Sequence, residues 1–302
     1  MSEKLSVDQP CVVGLGEILW DIMPSGTFLG GAPANFAFHA NQLGARGLVV
    51  SAVGNDALGQ QILDKLESLG LATTGLRRVP HPTSTVTVAT VDGQPAYTIH
   101  TGVAWDYLPF DDALQNLARQ ADAVCFGSLA QRSPDSRHSL QQFLEATRKD
   151  CCRVFDINLR QHYYDTETIQ TALELSHVLK LNHEELPIVA DLLGLPAAPD
   201  ATINALLQRF GLRLIALTRG GDGSSLYSRW RVSHHPGEPV AQIADTVGAG
   251  DSFTAALVMG LLHQDDLDVI HDRASKLASF VCTQRGATPQ IPAELLAELT
   301  VP

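Results

Sequence analysis

Residues 177–218 form the stretch HVLKLNHEELPIVADLLGLPAAPDATINALLQRFGLRLIALT. Two short apolar runs, HVLKLN (177–182) and RLIALT (213–218), enclose a longer segment that contains TINALLQRFG (202–211). That inner segment is helix-like and ends in glycine, as helix C-termini often do. Strands that are apolar on both faces and are separated by helices indicate a parallel sheet covered on both sides. The stretch therefore predicts an α/β fold.

The same alternation extends outward along the chain. Four more strands are predicted, at CVVGLG (11–16), LVVSAVG (48–54), AVCFGS (123–128) and RVFDIN (153–158). Three more helical segments are predicted, at ANFAFHANQLG (34–44), QQILDKLESLG (60–70) and SLQQFLEATRK (139–149). No internal repeat and no Pro/Ser-rich linker divides the 302 residues, so we expect a single domain over residues 1–302.

One segment departs from this alternation. TSTVTVATVDGQPAYTIH (83–100) alternates Thr and Val, reaches Asp92-Gly93 and then resumes as an extended run. This pattern predicts a β-hairpin that turns at the Asp-Gly pair and has one polar face. Such an insertion forms a lid over a site, a dimer contact through its edge, or a plain surface hairpin.

Composition limits the classes of partner and the compartment. Lys+Arg 21 against Asp+Glu 33 gives a net charge of −12, which argues against nucleic acid or an anionic membrane as the main partner. The N-terminal MSEKLSVDQP lacks the apolar stretch of a signal peptide, and FTAALVMGLL (253–262) is too short to span a bilayer. Five scattered cysteines without a CxxC pair suit reduced thiols, so the expected location is the cytoplasm.

The segment DTVGAGDSF (245–253) places an acid on either side of a bare Val-Gly-Ala-Gly turn, just before an apolar helical stripe. The turn therefore lies at a helix N-terminus, where backbone N–H groups lack partners and the helix dipole is positive. Glycines let an anion approach those amides, which favours a site for a transferring phosphoryl group. Asp251 would then accept a proton from a substrate hydroxyl. The alternative is that Asp251 or Ser252 is an ordinary cap.

Two common nucleotide-binding motifs are absent. The sequence contains no GxxxxGK[ST], and GLGE (14–17) does not continue as GxGxxG because position 19 is Leu. A P-loop enzyme and a Rossmann dehydrogenase are therefore disfavoured, and the acid-flanked turn would itself bind the phosphate.

Two segments resemble the signatures of the ribokinase-like (PfkB) carbohydrate kinases. DTVGAGD resembles the C-terminal D-T-x-G-A-G-D motif, and LGGAPANFAFHANQLGA (29–45) resembles the N-terminal G-G-x-x-x-N motif. Similarity extends to VGNDALG (53–59), FDINLR (155–160), LKLNHEEL (179–186), LTRGGDG (217–223) and RGATP (285–289). The resemblance implies a ribokinase-like three-layer sandwich with a central mostly parallel sheet. It also implies a small β-sheet lid formed mainly by residues 83–106, with a contribution from about 17–31.

The resemblance also implies roles for individual residues. The catalytic set is Asp251 with Gly248, Ala249 and Gly250. The sugar ligands are Asp21, Gly31, Asn35, Asn158 and Arg160. The nucleotide-binding set is Asn182, Thr218, Gly220, Gly223 and Gly250. Glu185 of the N-x-x-E pattern would hold Mg²⁺, mostly through water, because Mg²⁺ retains several waters. Asp245 and Val247 mark a K⁺ site.

The function implied is an ATP-dependent sugar kinase that uses Mg²⁺ and acts on small molecules, with a homodimer through the lid as a further expectation. GLGEILWDIMPSG (14–26), GGAPANFA and FDINLR resemble the fructokinase branch, so fructose is the expected substrate. The stretch YTIHTGVAWDYL (97–108) differs from the lids expected of fructokinases. Ribose, 2-keto-3-deoxygluconate and a nucleoside therefore remain alternatives, as does a non-catalytic sensor of sugar or nucleotide.

Overall fold

The computed structural model describes residues 9–23, 26–91, 94–240 and 242–300. Within them the strands are β1 (Cys11–Leu15), β2 (Leu19–Met23), β3 (Gly26–Gly30), β4 (Arg46–Gly54), β5 (Leu76–Val79), β6 (Thr85–Val91), β7 (Gln94–Ile99), β8 (Ala123–Phe126), β9 (Cys152–Asp156), β10 (Val178–Asn182), β11 (Leu214–Thr218), β12 (Ser224–Ser228) and β13 (Val232–His235). The helices are α1 (Ala32–Gln42), α2 (Ala57–Ser68), α3 (Asp112–Gln120), α4 (Pro134–Ala146), α5 (Thr166–Glu174), α6 (Glu185–Leu193), α7 (Pro199–Arg209), α8 (Ala249–His263), α9 (Leu267–Cys282) and α10 (Ala293–Thr300).

A nine-stranded sheet forms the centre, in the order β13-β12-β11-β10-β9-β8-β1-β4-β5. The strands from β11 to β5 in this order pair in parallel, and β12 and β13 add an antiparallel edge. Successive side chains of a strand point to opposite faces of a sheet. Accordingly, Val13 of β1 packs in the core on one face and Val12 in the core on the other. The predicted α/β sandwich is confirmed.

The six predicted strands correspond to β1, β4, β8, β9, β10 and β11. Several end before the predicted residue, because the chain bends into loops at the carboxyl edge of the sheet; Gly16 has a φ of 147° and Asn158 a φ of 42°. The predicted helical segments correspond to α1, α2, α4, α7 and α8, and most begin earlier than predicted. Helix α2, for example, begins after Asp56, whose carboxylate accepts from the Gly59 N–H group at 2.7 Å.

A second, four-stranded sheet stands apart from the first, in the order β3-β2-β6-β7. Strands β6 and β7 form the predicted antiparallel hairpin, and the Asp92-Gly93 turn lies outside the described residues. Arg132 binds the Asp106 carboxylate at 2.8 and 2.9 Å and donates to the carbonyl oxygen of His100 at 2.5 Å. These bonds fasten the chain that leaves β7 to the main body.

The small sheet exposes apolar side chains as well. Ile22 of β2 and Phe28 of β3 are 38% and 43% exposed. Action of this sheet as a lid and dimerisation through it stay predictions. In the part of the chain that the structure describes, no helix combines the length and the hydropathy that a membrane span requires.

Candidate active site

The predicted phosphate turn leads directly into α8. Gly248, the residue that precedes the helix, has a φ of 80° and no side chain that could cap the first-turn amides. The alternative was that the side chain of Asp251 or Ser252 caps the helix, but neither side chain does so. The Ser252 hydroxyl donates to the carbonyl oxygen of Ala249 at 2.9 Å, and the Asp251 carboxylate accepts from Asn35. The first N–H groups of α8 lack an intrahelical partner, and that of Ala249 donates to the carbonyl oxygen of Thr246, outside the helix, at 3.3 Å.

Asp251 and Asn35 meet although they lie 216 residues apart in sequence. Asn35 Nδ2 donates to Asp251 Oδ2 at 2.8 Å. Asn35 is in the first turn of α1, which Pro33 helps to begin and which Gly31 precedes with a φ of 111°. A Cβ atom on Gly31 would lie 2.5 Å from the carbonyl oxygen of Glu17, so the close approach of the two chains requires glycine.

The surroundings of Asp251 favour a base. The pKa of Asp251 is raised to about 6, mainly by loss of hydration and secondly by the neighbouring Asp156 carboxylate. Asn35, Lys180 and Arg160 act in the opposite direction. A carboxyl group with this pKa is still mostly ionised at neutral pH and is a stronger base than a solvated aspartate.

Glu17 is a residue of the site that the sequence analysis did not select. It follows β1 and is only 4% exposed, and burial raises its pKa to about 7, with Asp251 adding to the effect. Among the described residues, its Oε2 atom and Asn35 Oδ1 have no hydrogen-bond partner. An acid directly after an apolar strand, in GLGE, was the available signal.

The predicted sugar ligand Asp21 lies on β2 in the small sheet, next to Gly30 of β3. A Cβ atom on Gly30 would lie 2.3 Å from Asp21 Oδ2, so this glycine makes room for the carboxylate. Burial raises the pKa of Asp21, and Arg160 partly offsets the increase. Arg160 likewise lowers the pKa of Glu17 and of Asp251, so this exposed cation lies near all three carboxyl groups.

Asn158 follows β9 on the same loop as Arg160. Its φ of 42° is unusual for a non-glycine residue, and its carbonyl oxygen accepts from the Ser128 hydroxyl at 3.5 Å. The structure thus brings Asp21, Gly31, Asn35, Arg160 and Asp251 to one place. Contact of the Asn158 side chain with a sugar stays a prediction.

The predicted nucleotide residues lie farther along the same edge of the sheet. Asn182 and Thr218 end β10 and β11 and are paired in register. Gly220 begins a short 3₁₀ turn after β11 and Gly223 follows it, and a Cβ atom on Gly220 would meet no atom within 4 Å. A Cβ atom on Gly223 would instead lie 2.0 Å from the carbonyl oxygen of His235. Gly220 therefore borders open space, whereas Gly223 is required for packing.

The N-x-x-E pattern forms a reciprocal pair at the start of α6. Asn182 Oδ1 accepts from the Glu185 N–H group at 2.9 Å, and Glu185 Oε2 accepts from the Asn182 N–H group at 2.8 Å. Glu185 Oε1 accepts from the Leu159 N–H group at 2.9 Å. These three bonds resemble a capping box and fix the carboxylate. Each oxygen retains a second lone pair for a water ligand of Mg²⁺, so the residues fit the predicted water-mediated role.

The predicted K⁺ residues hold the turn before α8. The Asp245 carboxylate accepts from the Val247 N–H group at 3.0 Å and from the Gly286 N–H group at 3.3 Å. Both carboxylate oxygens are therefore engaged with backbone amides. Binding of a monovalent cation there stays a prediction.

A buried ion pair beneath α8 is a second feature that the sequence analysis missed. Lys180 Nζ lies 3.0 Å from Asp156 Oδ1, and both residues are less than 10% exposed. The Thr254 hydroxyl of α8 lies 2.9 Å from Asp156 Oδ2. The signal was a charged residue within each of two apolar strands, in VFD and LKLN.

Comparison with known proteins places this geometry in a family. The chain is 31% identical to fructokinase of Salmonella typhimurium over 298 residues, which cover 92% of this chain and 95% of that protein. The crystal structure of a sugar kinase of Pyrococcus horikoshii in complex with ATP is 25% identical, with a TM-score of 0.77 over 92% of this chain and 94% of that one. Fructokinase of Xylella fastidiosa with bound ATP, at 24% identity, shares the fold with a TM-score of 0.84 over 97% and 98% of the two chains. Residues 26–294 match the pfkB family carbohydrate kinases. The chain therefore belongs to the pfkB family of carbohydrate kinases.

Proposed function

We propose that this carbohydrate kinase transfers the γ-phosphoryl group of ATP to a hydroxyl group of fructose. The observation that carries the proposal is the meeting of Asp251 with Asn35 at the amide-lined start of α8. The 31% identity to a fructokinase supports fructose as the acceptor. Two buried acceptor atoms at the site, Glu17 Oε2 and Asn35 Oδ1, have no partner within the described ranges and suit the hydroxyl groups of a sugar.

In the proposed reaction Asp251 removes the proton of the acceptor hydroxyl as that oxygen bonds to the γ-phosphorus. The bond between the γ-phosphorus and the bridging oxygen breaks, and ADP leaves with the electron pair. Asn35 orients the Asp251 carboxylate, and the N–H groups of Gly248, Ala249 and Gly250 stabilise the charge on the phosphoryl oxygens. Closure of the small sheet would exclude water as a competing acceptor.

The nucleotide would lie along Asn182, Thr218, Gly220 and Gly223. Mg²⁺ supplies charge neutralisation of the phosphates when it is bound, and Glu185 would hold it through water. Asp245 and Val247 would accompany a K⁺ ion.

A panel of acceptors tests the substrate. ATP-dependent ADP release would be measured with fructose, ribose, 2-keto-3-deoxygluconate and adenosine at equal concentration. We expect kcat/KM for fructose to be at least about 10-fold above the others, because each lost hydroxyl contact leaves a buried polar group unpaired. A higher value for adenosine would indicate a nucleoside kinase, and sugar binding without turnover would indicate a sensor.

Asp21→Ala should weaken sugar binding more than it slows chemistry. Loss of hydrogen bonds to a charged acceptor should raise the KM for the sugar by about 10- to 100-fold, with kcat within about threefold of the wild type. Steady-state kinetics with saturating ATP would measure both constants. Asp64→Ala on α2 is the matched control, and unchanged constants for Asp21→Ala would remove this residue from the sugar pocket.

The pH profile should report the ionisation of Asp251. Because the base must be ionised and its pKa is about 6, kcat/KM should be constant above pH 7 and fall by about tenfold per pH unit below pH 6. The profile would be recorded between pH 4.5 and 8.5, with circular dichroism to verify that the protein stays folded. A constant rate down to pH 5 would contradict the assignment of Asp251 as the base.

A further inference from the structure

The buried pair of Lys180 and Asp156 lies directly beneath the first turn of α8. Lys180 is on β10 and Asp156 ends β9, and their Nζ and Oδ1 atoms are 3.0 Å apart. Burial alone lowers the pKa of Lys180, but Asp156, Glu185 and Asp251 outweigh it and raise the pKa, so the ammonium group stays charged. A fixed positive charge therefore lies inside the protein at the site.

The ammonium group contacts the turn itself. A Cβ atom on Gly250 would lie 2.8 Å from Lys180 Nζ and 3.7 Å from its Cε atom. Gly250 is consequently the residue at which the anion-binding turn touches the lysine. Its missing side chain leaves the space that the ammonium group approaches.

Asp156 fixes the position of this charge and of the helix together. The Thr254 hydroxyl lies 2.9 Å both from Asp156 Oδ2 and from the carbonyl oxygen of Gly250, and it donates its one proton to one of them. Asp156 therefore contacts the lysine through one oxygen and α8 through the other. The positive end of the pair faces the amides, because Lys180 is the partner that reaches Gly250.

We propose that Lys180 is a positioning residue for phosphoryl transfer, which holds a positive charge against the Gly250 turn, one residue from the Asp251 carboxylate. The inference rests on the proposed function, because it assigns to Lys180 a role in the reaction proposed for Asp251. It adds to the proposed site a residue from the middle of an apolar strand of the central sheet.

The charges around Asp251 predict the direction in which each substitution should shift the pH dependence of activity. Among the described residues, the titratable groups that interact with Asp251 come from several elements: Asp156 of β9, Lys180 of β10, Arg160 after β9, Glu17 after β1 and the Cys125 thiol of β8. Burial raises the pKa of Cys125, so this thiol is neutral, and Glu185 of α6 acts on Lys180. Asp156 raises the pKa of Asp251 and Lys180 lowers it, with the effect of Asp156 the larger. Loss of Lys180 alone should therefore move the acid limb of activity to higher pH. Loss of both charges should move the limb below that of the wild type.

The experiment compares Lys180→Met, the neutral double variant Asp156→Asn/Lys180→Met, and Lys65→Met on the surface as the control. For both Lys180 variants we expect kcat to fall about 100-fold, with the ATP dissociation constant from calorimetry within about threefold of the wild type. The pH below which activity falls should be lowest for the double variant, intermediate for the wild type and highest for Lys180→Met. A purely structural role would lower the melting temperature without producing this order.

The outcomes separate the two proposals. If the wild-type enzyme phosphorylated no acceptor of the panel, the proposed function would fail before the variants were compared. If the wild type were active and the double variant kept kcat within twofold of it, Lys180 would have no positioning role. Should Lys180→Met fail to fold because it leaves Asp156 unpaired, the double variant still decides, since it removes both charges together.

Discussion

Asp251→Asn should lower kcat by about 10³-fold, within the range that general-base catalysis contributes. Asparagine has almost the same shape but cannot accept a proton at neutral pH. Its side-chain oxygen can still accept the hydrogen bond from Asn35 Nδ2 that Asp251 Oδ2 accepts at 2.8 Å. The geometry of the site should therefore survive, and the dissociation constants for ATP and sugar should stay within about threefold of the wild type.

The same substitution should stabilise the fold at neutral pH. The pKa of Asp251 is raised from 3.8 to about 6, so between these values the folded protein binds more protons than the unfolded chain. Stability therefore falls as pH rises from about 4 to 6, and the whole penalty is present at pH 7. A tenfold change in a protonation equilibrium is about 1.4 kcal/mol, which gives about 3 kcal/mol for this shift. Because Asp251 is partly exposed, we expect about 1–2 kcal/mol to be regained in Asp251→Asn.

Urea unfolding at pH 7 and at pH 4 measures this gain, which should vanish at the lower pH. Asp200→Asn in the first turn of α7 is the matched control, since it removes a carboxylate from a helix start away from the site. A loss of activity accompanied by a loss of stability would indicate that Asp251 is a structural residue. Near wild-type kcat in Asp251→Asn would remove the base from the mechanism.

Strand β5 pairs in parallel but was not predicted, because LRRV has two arginines among its four residues. The other six parallel strands were predictable because they are largely apolar on both faces. CVVGL and LIALT, for example, are buried along almost their whole length in β1 and β11. The antiparallel edge was not predicted, because SSLYS and VSHH of β12 and β13 mix polar and apolar residues as half-exposed strands do. In such short segments the pattern does not distinguish a strand from a loop.

The residues of the candidate site likewise divide into those that the sequence predicted and those that it did not. Asp251, Asn35 and the glycines of the turn belong to local motifs, and each motif has a physical interpretation that needs no partner. Lys180 and Asp156 belong to apolar strands, where a charge acquires meaning only once its partner on the neighbouring strand is known. Gly250 is an example. From the sequence, its missing side chain is explained by the approach of a ligand. The structure shows that a side chain there would also collide with the ammonium group of Lys180.

Gly248→Ala should lower kcat by about 100-fold and destabilise the fold by about 1–3 kcal/mol. Gly248 has a φ of 80°, a conformation that alanine adopts at a cost of about 1–2 kcal/mol. An added Cβ atom would also lie 2.7 Å from the Cα, Cβ and carbonyl oxygen atoms of Ala287. Ala287 cannot easily yield, because its carbonyl oxygen is bound by the Nε2 atom of the buried His39 at 2.8 Å. Burial lowers the pKa of His39 to about 4, so at neutral pH the ring is neutral and donates to this oxygen as the Nε2–H tautomer. The start of α8 must therefore shift instead, and its amides move away from the phosphoryl group that they are proposed to stabilise.

Gly70→Ala is the control that separates the cost of a strained backbone from the effect of displacing the turn before α8. Gly70 follows α2 with a φ of 74°, and a Cβ atom there would meet only Asn41 Nδ2 at 3.8 Å, an ordinary contact. Gly70→Ala should therefore lose about 1–2 kcal/mol of stability and keep the wild-type kcat. Kinetics and thermal unfolding of the two variants side by side would measure both effects. If Gly248→Ala lost no more stability than Gly70→Ala and kept the wild-type kcat, the predicted displacement of the turn before α8 by the contact with Ala287 would be wrong.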